Sequence, residues 1–145
     1  MSEPYLAIAV VMMPRDANPN ASAAAGAYPA YSTVFGGVIL SHIDLAGAVA
    51  ARREVQVRGG NTAAMIVTVA VNRVEFKQPV LVGDVVKFYA RPVRFGRTSL
   101  TMHVDVVAER GGEVLPVTEA EVVYVGVDPS SPERRPTPLG LPATP

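Results

Sequence analysis

One carboxylate stands without a cation in the most apolar stretch of this chain. Asp44 lies in segment 38–51, where nearly every residue is apolar or small, and its neighbours on the same helical face are Leu40, Ser41, Gly47 and Ala48. An ionised carboxylate in such surroundings is costly unless it is paired or hydrogen-bonded. Asp44 therefore looks out at solvent through a gap, pairs with a distant group, or serves in a site that uses a perturbed carboxylate. The residues alone leave all three open.

Ser41 and His42 lie beside it but do not complete a nucleophilic triad, because His42 and Asp44 project about 200° apart around a helix. Gly36-Gly37 falls where that helix should begin. Exposed N–H groups at a helix start can face an anion or a polarised carbonyl, and glycine lets that group come close. Such donors could stabilise the oxyanion of an acyl-transfer transition state, with a carboxylate two turns further along as general base or nucleophile. A second serine, histidine and aspartate (Ser99, His103 and Asp105) alternate with Leu100, Met102, Val104 and Val106. That pattern reads as the solvent-facing row of a strand.

The elements that must hold these residues follow from periodicity. Segment 38–51 is hydrophobic on all sides and has no proline, which predicts a helix wrapped by the rest of the protein and closed by Arg52 and Arg53. With 14 to 18 residues it would be about 21 to 27 Å long, marginal for a bilayer. Strand-like segments run over 5–13, 64–76, 85–95, 100–109 and 113–127, rich in valine, threonine and aromatics. Gly111-Gly112 suits a two-residue hairpin turn. One strand, one helix and four strands in an antiparallel meander make an α+β domain. The last strand carries Val117, Val123 and Val125 on one expected face and Val114, Val122 and Tyr124 on the other, which implies burial on both sides, by the helix and by a partner subunit.

At 145 residues the chain predicts a single domain over 1–128, followed by a proline-rich tail over 129–145 that either wraps a neighbour or moves freely. Thirteen basic and thirteen acidic side chains cancel, so neither nucleic acid nor a membrane surface is an expected partner. The absence of cysteine excludes disulfides and thiolate metal ligands. Two histidines without HxxxH spacing predict no metal site. Segment 5–13 reads as a first strand rather than a secretion signal, which predicts a cytoplasmic protein. Residues 14–33 read as a long loop.

The motifs Met13-Pro14-Arg15-Asp16-Ala17-Asn18, Phe35-Gly36-Gly37, Ile43-Asp44-Leu45-Ala46-Gly47, Val74-Glu75-Phe76 with Pro79-Val80, Val82-Gly83-Asp84, Gly96-Arg97-Thr98-Ser99 and Val123-Tyr124-Val125 occur in this order over most of the chain. Together they resemble the acyl-coenzyme A thioesterases of the hotdog superfamily. That resemblance implies a curved antiparallel sheet of five to six strands wrapped around one long helix. It further implies dimers that assemble as trimers of dimers, with active sites at the dimer interface, and no cofactor beyond the coenzyme A of the substrate. Asp44 falls at the family's catalytic carboxylate, and Gly37 and Val38 fall where backbone N–H groups hold the thioester carbonyl. Asn18, Phe35 and Gly36 fall beside the substrate, and Arg97, Thr98 and Ser99 near coenzyme A. Arg91 or Arg94 are further candidates for its phosphates. The chain departs from the pattern by residues 21–31, which separate the Asn18 segment from Phe35-Gly36-Gly37. The polar group opposite Asp44 is Asn18, Asn20 or Thr33, or none of them. The alternative function is an acyl-CoA-binding or assembly protein without turnover. A dehydratase is disfavoured because His42 points away from Asp44.

Overall fold

Alternation of buried and half-exposed residues marks the three central strands of a five-stranded antiparallel sheet in the computed structural model, which describes residues 3–19 and 32–144. The strands are β1 (Tyr5–Val11), β2 (Met65–Asn72), β3 (Val85–Phe95), β4 (Ser99–Arg110) and β5 (Glu113–Val127). Val86, Phe88 and Ala90 of β3, Leu100, Met102, Val104 and Val106 of β4, and Val122 and Tyr124 of β5 all face one helix. Gly111 and Gly112 turn the β4–β5 hairpin with φ of +57° and +82°, as their pairing predicts. The expected insertion at 21–31 and Asn20 lie outside the described residues.

The strand order is β1-β3-β4-β5-β2, so only β3, β4 and β5 form a meander. The expected four-strand meander is corrected because β2 pairs with β5 at the far edge. Between β2 and β3 lies the link 73–84, long enough to cross the roughly 14 Å of three strand spacings. It is pinned on the way by the Lys77 N–H to the Val117 carbonyl (2.8 Å) and by the Thr118 hydroxyl to the Glu75 carbonyl (2.7 Å). The link ends in the Val82-Gly83-Asp84 motif. Gly83 turns the chain at φ +96°, and buried Asp84 accepts the Leu81 N–H at 2.9 Å and both arms of Arg110 at 2.9 and 2.7 Å.

Burial by itself raises the Asp84 pKa, but the Arg110 hydrogen bond, the Leu81 N–H and the Arg110 charge outweigh it and leave the carboxyl below its ordinary value of 3.8. A depressed folded-state value means that the pair contributes stability above about pH 4, lost as acid protonates Asp84. Asp84→Asn should therefore cost about 2–3 kcal/mol at pH 7. Its difference from wild type should shrink in denaturant titrations below pH 4. A deficit that stays constant down to pH 3 would show that the ion pair is not the cause.

The helix, α1 (Gly36–Val57), buries Ile39, Ile43, Ala46, Gly47, Ala50, Ala51, Glu54 and Val55 against the sheet. It runs six residues past the expected end because Glu54 finds Arg58 at 2.6 Å, one turn on, and nothing breaks the helix before Gly59 at φ +70°. The expectation of a helix wrapped on all sides is also corrected. Leu40, Leu45, Val49 and Val57 stay 40, 56, 37 and 64% exposed, so the described residues cover one face only. No helix among the described residues is long and apolar enough to cross a membrane.

A register shift between Val106 and Val107 changes the phase of β5. Val117 consequently faces inward together with Val122 and Tyr124, while Val114 is exposed, which replaces the two apolar faces expected from strict alternation. The proline-rich segment after β5 turns back on its own domain. A bridge to the sheet, Val127 with Pro136, and the Thr137 N–H to the Gly126 carbonyl (2.8 Å) return the chain along β5, and Leu139 enters the core with no exposed surface.

Candidate active site

Asp44 meets the sheet where β2 and β5 pair Thr68 with Tyr124. The Thr68 hydroxyl donates to Asp44 Oδ1 at 2.6 Å, and the Tyr124 hydroxyl donates to the Asp44 main-chain carbonyl at 2.7 Å. Tyr124 is fully buried and Asp44 is half-buried. Burial first, then the Asp44 charge and hydrogen bonding to Asp44, push the Tyr124 hydroxyl far above the ordinary tyrosine range. The partner that the carboxylate lacked on its own helix is thus a neutral hydroxyl on a neighbouring strand. Thr68 holds one carboxylate oxygen, and the other has no hydrogen bond among the described residues.

Gly36 and Gly37 open the helix behind Phe35, which caps it with extended backbone. The Val38 N–H already donates to the Phe35 carbonyl at 3.0 Å, whereas the Gly37 N–H has no backbone partner among the described residues. Asn18 reaches the same end of α1. Its N–H bonds the Thr33 carbonyl at 2.8 Å, and the Phe35 N–H bonds the Asp16 carbonyl at 2.9 Å. Beside this helix start opens a mostly apolar cleft of about 380 Å³, lined by Thr33, Val34, Gly36, Ile39, Phe76 and Val80 among others.

Arg97, Thr98 and Ser99 lie at the opposite end of α1. The Arg97 carbonyl accepts the Leu139 N–H at 3.0 Å, the Leu139 carbonyl accepts the Asn61 N–H at 2.7 Å, and Gly60, just after the helix, bonds the Val55 carbonyl. Within one chain, then, Asn18, Phe35, Gly36, Gly37 and Val38 gather at the helix start, Asp44 sits mid-helix, and the Arg97 turn stands at the far end. Arg94 is exposed and Arg91 lies half-buried opposite His103 on the outer sheet face.

Neither histidine joins Asp44. His42 Nδ1 pairs with the Val38 carbonyl at 2.7 Å and its ring stacks on Phe88 with centroids 5.5 Å apart. His103 belongs to the outer face, but not to a freely solvated row. Its side chain is only 13% exposed because Asp105 and Glu119 flank it at 3.1 and 3.8 Å. These three offer ligand atoms within 4.8 Å of one another and form the single such grouping among the described residues. They lie on the far side of the sheet from Asp44.

Residues 31–115 match the thioesterase superfamily. The chain is 34% identical over 139 residues to the acyl-CoA thioester hydrolase YciA of Salmonella typhimurium, covering 92% of this chain and 90% of that protein. The chain belongs to the thioesterase superfamily. A hexameric thioesterase from Yersinia pestis superposes on it with a TM-score of 0.75 at 32% identity, over 99% of this chain and 100% of the other. A hexameric hotdog fold thioesterase of Campylobacter jejuni gives 0.71 at 34% identity, over 92% and 89%. In this thioesterase, the helix start and Asp44 were legible as candidate residues. Thr68 was missed, and its only signal was one hydroxyl in the apolar run of β2. Tyr124 stood in a recognisable motif, but nothing local linked it to Asp44, 80 positions away.

Proposed function

We propose that this thioesterase hydrolyses acyl-CoA, R–CO–S–CoA plus water giving the free acid and coenzyme A, in sites that two copies of the chain build together. The observation that carries this reading is the Asp44 carboxylate, held by the Thr68 hydroxyl at 2.6 Å with its other oxygen left for chemistry. Asp44 draws a proton from the attacking water or attacks the carbonyl itself. The Gly37 N–H, with Val38 beside it, receives the negative charge that grows on the carbonyl oxygen.

These two groups of one chain do not serve one carbonyl. They lie seven residues apart, about 10 Å along the axis, and first-turn N–H groups point away from the helix body. Asp44 of one copy therefore works with Gly37 of another. A suitable second copy is offered by the edge strand β2, where Met65, Val69 and Val71 are exposed, and by the uncovered Leu40 and Leu45 of α1. Pairing β2 with its own copy about a two-fold axis sets the helices antiparallel, with the axis near Leu40 and Ser41. Three such dimers would form a hexamer, the state named for the relatives from Yersinia pestis and Campylobacter jejuni.

The acyl chain enters the apolar cleft between Ile39 and Phe76, and Asn18 and Phe35 border the carbonyl. Arg97, supported by Thr98 and Ser99 and by Arg91 or Arg94, meets the coenzyme phosphates. No cofactor or metal ion takes part in this scheme. Thiol release from acetyl-, octanoyl- and palmitoyl-CoA tests it. The expected result is turnover with at least one chain length. Binding of all three without release above background would instead make the protein an acyl-CoA-binding module.

A further inference from the structure

Gly47 sits one turn beyond Asp44 on the buried face of α1, directly under the Tyr124 ring. A methyl group on Gly47 would overlap the Tyr124 hydroxyl and come within 3.1 and 3.2 Å of ring carbons Cζ and Cε2. Gly47 has no positive φ, so the absence of a side chain serves clearance rather than backbone conformation. The cleared space is filled by a hydroxyl that donates to the Asp44 carbonyl at 2.7 Å. A mid-helix carbonyl already has its helical acceptor role, so this bond is additional and ties one chosen turn of the helix to the sheet.

The tie is made at the residue pair that also holds the carboxylate. Tyr124 stands opposite Thr68 in the β2–β5 ladder, and the register shifts immediately after Thr68. Bulges of this kind re-aim the side chains beside them. Main chain and side chain of Asp44 are therefore gripped from two adjacent points of one sheet.

We infer that Tyr124, through the clearance at Gly47, is a positioning residue for the reaction, fixing the Asp44 turn of α1 so that the Thr68-bound carboxylate faces the partner's helix start. The inference rests on the role proposed for Asp44. It links two of the motifs, Ile43-Asp44-Leu45-Ala46-Gly47 and Val123-Tyr124-Val125, in a single contact. A shift of the reacting group by about 1 Å can cost on the order of a hundredfold in rate, which sets the scale expected when the tie is cut.

Tyr124→Phe, Gly47→Ala, the double variant and Asp44→Ala are compared by thiol release from octanoyl-CoA, or from whichever acyl-CoA the wild type turns over, and by thermal unfolding. Tyr124→Phe should lower kcat about ten- to a hundredfold with KM unchanged within twofold, and melt near the wild type. Gly47→Ala should lower both kcat and melting temperature. In the double variant the methyl meets only the ring carbons, so melting temperature should recover while kcat stays low. A packing role alone would return kcat together with stability. Wild-type kcat in Tyr124→Phe, or recovery of kcat in the double variant, overturns the inference. Wild-type turnover in Asp44→Ala overturns the assignment of Asp44 itself, and with it any role for Tyr124. Loss in Asp44→Ala with wild-type kcat in Tyr124→Phe overturns the role of Tyr124 alone.

Discussion

Chains carrying Asp44→Ala and chains carrying Gly37→Pro, each almost inactive alone, are expected to recover about a quarter of wild-type turnover when co-expressed in equal amounts. Removing the carboxylate takes away a group worth about 10²- to 10⁴-fold, and removing one oxyanion donor costs about 10²- to 10³-fold. Proline suits the second substitution because it deletes the N–H while remaining compatible with the first helical turn. Its ring would displace Phe35, whose edge lies 2.7 Å from a side chain placed on Gly37, but that ring is 46% exposed and can swing away.

The recovery follows from symmetry. If Asp44 of one chain works with Gly37 of another, a mixed dimer has one site with both defects and one site with neither. Random pairing makes about half of the dimers mixed, so about a quarter of all sites are intact. If each chain held a complete site, every site would keep one defect and nothing would return. Differently tagged chains, purified through both tags, show that mixed dimers were assayed. Such dimers without activity would sink the shared site, whatever Asp44 does within its own chain.

The proposed sharing of the site was implied by the family resemblance alone, and the distance between Gly37 and Asp44 along α1 supports it. Local patterns carried the strands β3 and β5, the glycine hairpin and the existence of the central helix, because alternation and turn residues act over a few positions. They failed wherever a distant contact decides. The helix continues beyond Arg52 and Arg53 because Glu54 pairs with Arg58. β2 leaves the meander because the link 73–84 is pinned beneath β5. At the site, the residue types Gly37 and Asp44 could be singled out by chemistry. Thr68 and Tyr124 could not, since their bearing on Asp44 depends on the register of β2 against β5. The same limit applies to burial. An apolar helix predicts covering, but not whether the chain or its copy supplies it, and Leu40, Leu45 and Val49 stay exposed on this chain.

The tail, for which composition suggested either a neighbour's surface or free motion, carries the second large effect. Leu139→Ala should destabilise the protein by about 3 kcal/mol, within the range for removing a fully buried leucine that cannot collapse its cavity. Collapse is hindered because Leu139 packs between Gly60 and Gly126, and a side chain on either glycine would strike the tail. Backbone bonds hold it there, from the Leu139 N–H to Arg97, from the Asn61 N–H to Leu139 and from the Thr144 N–H to Phe95 at 3.1 Å. Because the first of these fixes the turn at Arg97, a loosened tail also loosens the group proposed to meet the coenzyme phosphates. The Leu139→Ala protein should therefore show a KM for acyl-CoA raised several-fold with kcat little changed, measured well below its melting temperature. Urea titration reads the stability, and a loss under 1 kcal/mol would mean that the strap is ornamental. A full stability loss with KM unchanged would detach Arg97 from substrate binding and leave Arg91 or Arg94 to supply the charge.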